Sequence, residues 1–208
     1  MTKALILNSA ATGEASVSTR LTGNLVAQLR RRDPSLAVTM RDLGADPIPH
    51  LTAETVSAVR GAADNDAGRA TLALSDTLVA ELLDADLIVI GAPMYNFGIP
   101  STLKTWFDHV LRGGVTFRYS EAGPEGLVIG KRAVVIETRG GLYSEGPAAV
   151  MDSQEPHLRA LLGFIGITDV AFIRAEKLAF GPEAAEAAIA AAVEELGGLG
   201  DTELALAA

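Results

Sequence analysis

The sequence predicts an α/β fold in which five short parallel strands form one doubly wound sheet. Two observations carry the prediction. Short apolar runs recur at Ala4–Leu7, Leu36–Leu43, Asp86–Gly91, Lys131–Glu137 and Asp169–Ile173. Stretches with helical apolar spacing separate them, as crossovers between parallel strands require. Right-handed crossovers and a first strand near the centre give the strand order 2-1-3-4-5.

Size and charge narrow the function classes. The chain has 208 residues, 49% of them hydrophobic, enough to bury a core as one domain over 1–208. Its formal net charge is −9, which argues against a nucleic-acid partner. Arg30-Arg31-Arg32 is the one strongly basic run, and it falls at an expected helix end, where cations suit the macrodipole. There is no cysteine, so disulfides, thiolate metal sites and a thiol nucleophile are excluded. His50, His109 and His157 show no metal-ligand spacing, and no metal site is expected. No apolar run approaches the ~18 residues of a membrane span. The chain is expected to be soluble and cytoplasmic.

Along the chain, Ala4–Leu7 reads as a buried strand, followed by a loop of small, hydroxylated residues from Asn8 to Ser18. A helix follows, with Leu21, Leu25, Val26 and Leu29 on one face and Ser16 or Ser18 as its cap. After the second strand, the prolines of Asp46-Pro47-Ile48-Pro49-His50 impose irregular backbone. Thr52–Val59 and Asn65–Leu83 read as helices. The third strand ends in Gly91-Ala92-Pro93, and helical spacing resumes at Leu103, Trp106, Phe107, Val110 and Leu111. Trp106 and Phe107 are assigned to packing, and His109 to an interface or the surface. Phe117–Val128 breaks the alternation; its Gly-Pro-Glu-Gly segment is a turn signal for an inserted hairpin or lid. Gly141–Met151 is a polar loop, Pro156–Ile165 a helix, and Pro182–Leu196 the last helix. Glu194-Glu195 is a solvated helix face, and Leu199–Ala208 a loosely held tail.

Strand order 2-1-3-4-5 puts the topological switch point between strands one and three. Loops 9–18, 93–98 and 138–141 then converge on one crevice. The first precedes a helix N-terminus, where free amides and the dipole favour an anion. It lacks both the Walker A ending and the GxGxxG pattern. The second carries Met94, Tyr95, Asn96 and Phe97, two aromatics and an amide suited to a flat polar ring. In the third, Gly140-Gly141 allows close backbone approach. The combination suits flavin mononucleotide (FMN), phosphate on the first loop and ring on the other two.

Ala92-Pro93-Met94-Tyr95-Asn96-Phe97 and Ile99-Pro100-Ser101-Thr102-Leu103-Lys104 resemble the FMN-dependent NADH azoreductase family, a family of quinone reductases. So do Gly114-Val115-Thr116-Phe117-Arg118-Tyr119, Gly123-Pro124-Glu125-Gly126-Leu127 and Leu162-Gly163-Phe164-Ile165-Gly166-Ile167. The resemblance runs from the first strand to about Pro182. It implies a flavodoxin-like fold and a homodimer with two FMN sites near its interface. It also implies a ping-pong reaction in which NADH or NADPH reduces FMN, and FMN then reduces a quinone or an azo bond.

Carried over by residue, the resemblance assigns the phosphate to Ser16, Val17 and Ser18. It lays Met94, Tyr95, Asn96 and Phe97 along the flavin and ribityl chain, and Thr138, Arg139, Gly140 and Gly141 along the ring. The family commonly has serine where this chain has Thr138, and two serines where this chain reads Ser9-Ala10; a backbone amide or Ser9 would then serve the phosphate. The insertion at 150–155 alters the pocket rim. Tyr119 and Phe164 are the candidates for stacking on a planar substrate, against an exposed hairpin position and core packing respectively. Arg60 is read as a helix-surface arginine that could meet the donor or an anionic acceptor. No side chain is assigned as general acid or base, because hydride transfer belongs to the cofactor. Two other classes remain: a flavodoxin-type electron carrier, and an FMN-binding redox-responsive protein. The 46–66 insertion and the hairpin favour an enzyme with a built pocket.

Overall fold

Alternation along buried strands builds two apolar layers, one on each face of a sheet. In the computed structural model, which describes residues 2–202 with side chains to 199, strand β1 spans Lys3–Asn8, β2 Ala37–Asp42 and β3 Leu87–Pro93. Strand β6 spans Arg132–Thr138 and β7 Asp169–Ala175. The sheet order is β2-β1-β3-β6-β7, all parallel. This is the expected 2-1-3-4-5 order once the two hairpin strands are numbered. Leu5, Leu7, Ile88, Ile90, Ala133 and Val135 face one layer, while Ala4, Ile6, Leu87, Val89, Val134 and Ile136 face the other.

Helices α2 (Asp66–Asp84), α3 (Ser101–Val110) and α4 (Glu155–Ile165) cover the first face. Helices α1 (Val17–Arg32) and α5 (Pro182–Thr202) cover the second. Trp106 and Phe107 are buried in the first layer, as their helical spacing implied. The register pairs Asn8 with Gly91, Pro93 with Thr138, and Thr138 with Ala175. The carboxyl ends of four strands therefore stand at one edge of the molecule.

Four expectations change. Thr52–Val59 is not a helix: turns lead to a short 3₁₀ segment, Ala58–Arg60. The Thr55 hydroxyl accepts from the Thr52 amide (2.9 Å), a local bond that competes with helix formation. The hairpin turns at Glu121-Ala122, with β4 (Phe117–Ser120) pairing antiparallel to β5 (Gly123–Gly126). Gly-Pro-Glu-Gly is thus a strand; in a two-stranded ribbon both strands are edges, where a proline is tolerated. His109 is buried, with Nε2 3.0 Å from the Pro49 carbonyl and Nδ1 without a partner; burial lowers its pKa. The last helix runs past Leu196, and Leu199 packs on the core; the remainder of the expected tail, 203–208, lies outside the described residues.

The hairpin sits at the opposite edge from the carboxyl ends. Gly126 meets the end of α4 so closely that a Cβ would stand 2.2 Å from the Gly166 amide nitrogen. The Val128 amide donates to the Ile165 carbonyl at 2.8 Å. Helix α4 begins beside the strand ends and finishes beside the strand starts, carrying the hairpin with it.

Candidate functional site

The first loop is built from backbone. Ser16 precedes α1 in extended conformation, and its hydroxyl lies 2.9 Å from that of Ser18 rather than capping the helix. The amides of Val17, Ser18 and Thr19 consequently have no partner among the described residues. The Thr19 hydroxyl is buried and also unpartnered. Free amides at the positive end of a sixteen-residue helix form an anion site. Ser9 is turned away from that site: its amide and hydroxyl both donate to the Gly91 carbonyl, at 3.2 and 2.7 Å. Its hydroxyl therefore does not replace the one missing at Ala10, which is itself buried. Behind this loop, a Cβ at Gly44 would stand 2.1 Å from the Ala10 carbonyl oxygen.

The loop after β3 is strained and exposed. Asn96 and Phe97 both have positive φ, +48° and +72°, in a tight turn closed by reciprocal bonds between Tyr95 and Gly98 (3.0 and 3.1 Å). Such a backbone costs on the order of 1–3 kcal/mol per residue and persists where its surroundings enforce it. The enforcing contacts are visible. The Tyr95 hydroxyl accepts from the Ala11 amide (3.0 Å), tying this loop to the first. The Phe97 carbonyl accepts from the Ser153 amide (3.0 Å) and hydroxyl (2.8 Å). The Phe97 ring meets Tyr143 edge-on at 6.0 Å. Met94 donates its amide to the Thr138 carbonyl (2.8 Å), joining this loop to the third.

The third loop presents two adjacent donors. The carbonyls of Arg139 and Gly140 accept from the Leu178 and Ala179 amides (3.1 and 3.0 Å), on the β7 side. In a planar trans peptide the N–H points opposite to the C=O. The Gly140 and Gly141 amides, without partners among the described residues, hence face the β3 side, where Tyr95 and Phe97 lie. The Arg139 amide is spent on Ala175 (2.9 Å) and its side chain is fully buried. Arg139 thus turns its amide, its carbonyl and its side chain away from the crevice. Its guanidinium contacts Glu137 (2.6 Å), Asp152 (3.0 Å), Gln154 (3.0 Å) and Glu176 (3.1 Å). Burial pushes the Glu137 carboxyl up to about 8, against the pull of Arg139, while Glu155 and Asp152 push it further. Burial opposes ionisation at Glu176 too, but the Ser144 hydroxyl, the Tyr143 amide and Arg139 hold it below the usual carboxylate range.

The thirteen residues assigned to the cofactor therefore fall on the three loops at one edge of the sheet. Tyr119 and Phe164 do not join them. Phe164 packs at a tilt against Phe117 (4.6 Å) at the far end of α4, Phe117 meets Tyr119 (5.7 Å), and Tyr119 is 74% exposed. Arg60 is exposed, well separated in sequence from all three loops. Sequence reading missed Tyr143, Ser153, Gln154 and Glu176. The one available signal was Glu137-Thr138-Arg139: opposite charges two apart on one face of an otherwise apolar strand.

Fold and crevice together define a doubly wound α/β protein with two sets of free amides facing one crevice at the carboxyl edge of its sheet. A family model described as the flavodoxin-like fold matches residues 2–199. Over all 208 residues the chain is 53% identical to a Hyphomonas neptunium protein named FMN-dependent NADH:quinone oxidoreductase, covering both completely. A Ralstonia nicotianae protein of the same name is 49% identical over 90% of this chain and 92% of its own. The crystal structure of an azoreductase from Bacillus anthracis superposes with a TM-score of 0.88 at 30% identity, covering 96% of this chain and 98% of that one. The chain belongs to the flavodoxin-like family that these quinone oxidoreductases and this azoreductase share. No helix among the described residues is long and apolar enough to cross a membrane.

Proposed function

We propose that the protein is an FMN-dependent oxidoreductase that takes reducing equivalents from NADH and reduces quinones by two electrons, and aromatic azo compounds, in a ping-pong cycle. The observation that carries this reading is the pairing of two sets of unpartnered amides across one crevice. Those of Val17, Ser18 and Thr19 suit a phosphate; those of Gly140 and Gly141 suit the acceptor atoms on one edge of a ring. Met94–Phe97 lies between them. The donors fit FMN, which when bound supplies the two-electron chemistry.

The chain's own residues do the rest. The α1 N-terminus anchors the phosphate, with the Ser16 and Ser18 hydroxyls beside it. The strained Asn96-Phe97 turn holds backbone and an aromatic edge against the ring. The amides of Gly140 and Gly141 would donate to acceptor atoms on that ring's edge, an arrangement that favours negative charge there. Ping-pong order requires that donor and acceptor meet the same ring in turn.

Tyr119 and Phe164 enter this scheme through a second copy of the chain. At the hairpin edge they are remote from their own protomer's crevice, and Tyr119 is exposed with Phe117 beneath it. In a homodimer that sets the hairpin of one protomer over the crevice of its partner, these aromatics wall the substrate slot. The working compartment is the one that supplies NADH, the cytoplasm.

The test is an absorbance trace of purified protein, before and after anaerobic NADH and then after a benzoquinone. Yellow flavin absorbance that bleaches with NADH and returns with quinone is the expected result. A protein that stays colourless after added FMN and dialysis overturns the reading. Bound flavin that NADH does not bleach would favour an electron carrier, which takes its electrons from a partner protein. For the dimer, sedimentation should give twice the chain mass; Tyr119→Ala should raise KM for quinone while FMN stays bound.

A further inference from the structure

Arg139 touches nothing in the crevice, yet each segment bordering the crevice's ring end is attached to it directly or at one remove. Its Nε donates to Gln154 Oε1 (3.0 Å), and Gln154 Nε2 donates to the Ala92 carbonyl at the end of β3 (2.8 Å). Its Nη1 meets Glu176 Oε1 (3.1 Å), which also accepts from the Tyr143 and Ser144 amides (2.8 and 3.0 Å). Its Nη2 meets Glu137 Oε2 (2.6 Å) and Asp152 Oδ2 (3.0 Å), and Asp152 Oδ1 caps the start of α4 through the Gln154 and Glu155 amides (2.8 and 3.2 Å). Arg139 and Glu137 are both 0% exposed. A guanidinium has five donors in one rigid plane, which is why a single side chain can gather these partners.

We propose that Arg139 is a positioning residue for the cofactor: through Glu137, Asp152, Gln154 and Glu176 it holds the 138–144 loop so that the Gly140 and Gly141 amides face the crevice. The inference rests on the FMN reading above and adds a role to a side chain that makes no contact with the ligand.

The cluster also has a charge state to keep. Glu137, Asp152, Glu155 and Glu176 face Arg139, Arg159 and Arg174; Glu155 receives Arg159 (2.9 Å) and Arg174 (2.8 Å), and Arg174 lies 3.8 Å from Glu137. Four carboxyls against three guanidiniums leave one negative charge in excess. Glu137 Oε1 is buried with no partner, so a proton there is the economical way to balance the set. Burial keeps that proton on Glu137 up to about pH 8. Above it, an uncompensated charge appears in the cluster that holds the 138–144 loop, and the loop's hold on an electron-rich ring edge weakens.

The test is titration of apo-protein with FMN, followed by fluorescence quenching and the visible spectrum, in wild type, Arg139→Lys, Glu137→Gln and Glu176→Ala. Lysine keeps the charge but cannot reach four partners. We expect Arg139→Lys to raise the FMN dissociation constant tenfold or more, alter the bound spectrum, and speed amide exchange at 140–144 in apo-protein. Glu176→Ala keeps Arg139 and its other partners but cuts the link from Nη1 to the Tyr143 and Ser144 amides; it should raise the constant severalfold, and it decides the matter should Arg139→Lys fail to fold. The wild-type constant should rise above pH 8, and that of Glu137→Gln should not. Wild-type affinity and spectrum in the folded arginine variant, or in Glu176→Ala if it alone folds, overturn the proposal. So does a wild-type pH profile that superposes on that of Glu137→Gln. A wild type that binds no FMN brings down the function proposed above, and this role with it; exchange rates in the apo-proteins still report whether Arg139 orders the loop.

Discussion

The two ends of the crevice are made of different materials. At the anion end, α1 offers three backbone amides, and the surrounding side chains are a few hydroxyls and alanines. At the ring end, the two free amides are held in place by a buried arginine and its ring of acids. A backbone-built site is fixed by local chain geometry and fails only when the backbone moves. A site held from beneath by side chains fails when one of them is lost, at a distance from the ligand.

The largest effect should follow from breaking the second kind. Arg139→Ala leaves Glu137, Asp152 and Glu176 facing one another without their shared cation. Breaking a buried charge cluster by removing one partner costs about 3–5 kcal/mol, and urea unfolding of apo-protein would read it as a lowered midpoint. Glu137→Gln sharpens the same point through pH. Glu137 binds its proton more tightly in the folded chain than in the unfolded one, its pKa being raised to about 8. The folded state therefore gains from that proton at low pH and loses the gain as pH climbs from the ordinary carboxylate value through about 8. Wild-type melting temperature should decline over that window more steeply than that of Glu137→Gln. Parallel profiles would mean that Glu137 is ionised in the folded chain.

A backbone change is needed to break the anion end. Gly44 packs on the first loop from behind, and the Cβ of Gly44→Ala would stand 2.1 Å from the Ala10 carbonyl oxygen and 3.0 Å from its carbon. Neither atom is the tip of a flexible side chain, so the loop or its neighbour must shift. Overpacking of this kind costs about 1–3 kcal/mol. We expect FMN affinity to fall by about tenfold, with the 140–144 loop unchanged by amide exchange. An equal loss of protection at both ends would show that the two halves are mechanically one.

This contrast also explains what could be read from sequence. Strand order followed from five buried runs and the handedness of crossovers, because those depend on local pattern and chirality. The free amides of the first loop were legible because small hydroxylated residues before a helix act through local geometry. The Arg139 cluster was not. Its members lie at 137, 152, 154 and 176, and only the packing of α4 and β7 brings them together. The 52–59 segment misled for a related reason: a helix was expected there, but the hydroxyl of Thr55 found a local backbone partner first. Tyr119 and Phe164 showed their aromatic character in the sequence, whereas their edge of the sheet became visible only with the hairpin seated on Gly166.

The smallest expected effect concerns Ser9, where sequence and structure part most sharply. Position suggested a hydroxyl for the phosphate. The structure turns that hydroxyl inward to the Gly91 carbonyl at 2.7 Å, inside a buried junction that Thr102 also joins by donating to the Ser9 carbonyl at 3.0 Å. Ser9→Ala removes one buried hydrogen bond and leaves the Gly91 carbonyl with the Ser9 amide at 3.2 Å. A stability loss of about 1 kcal/mol is expected. FMN affinity should stay within about twofold, well under the factor of ten that corresponds to 1.4 kcal/mol. If affinity instead falls tenfold with stability unchanged, the hydroxyl rotates outward when the phosphate arrives. The anion end would then depend on a side chain after all, and the division between the two ends of the crevice would lose its basis.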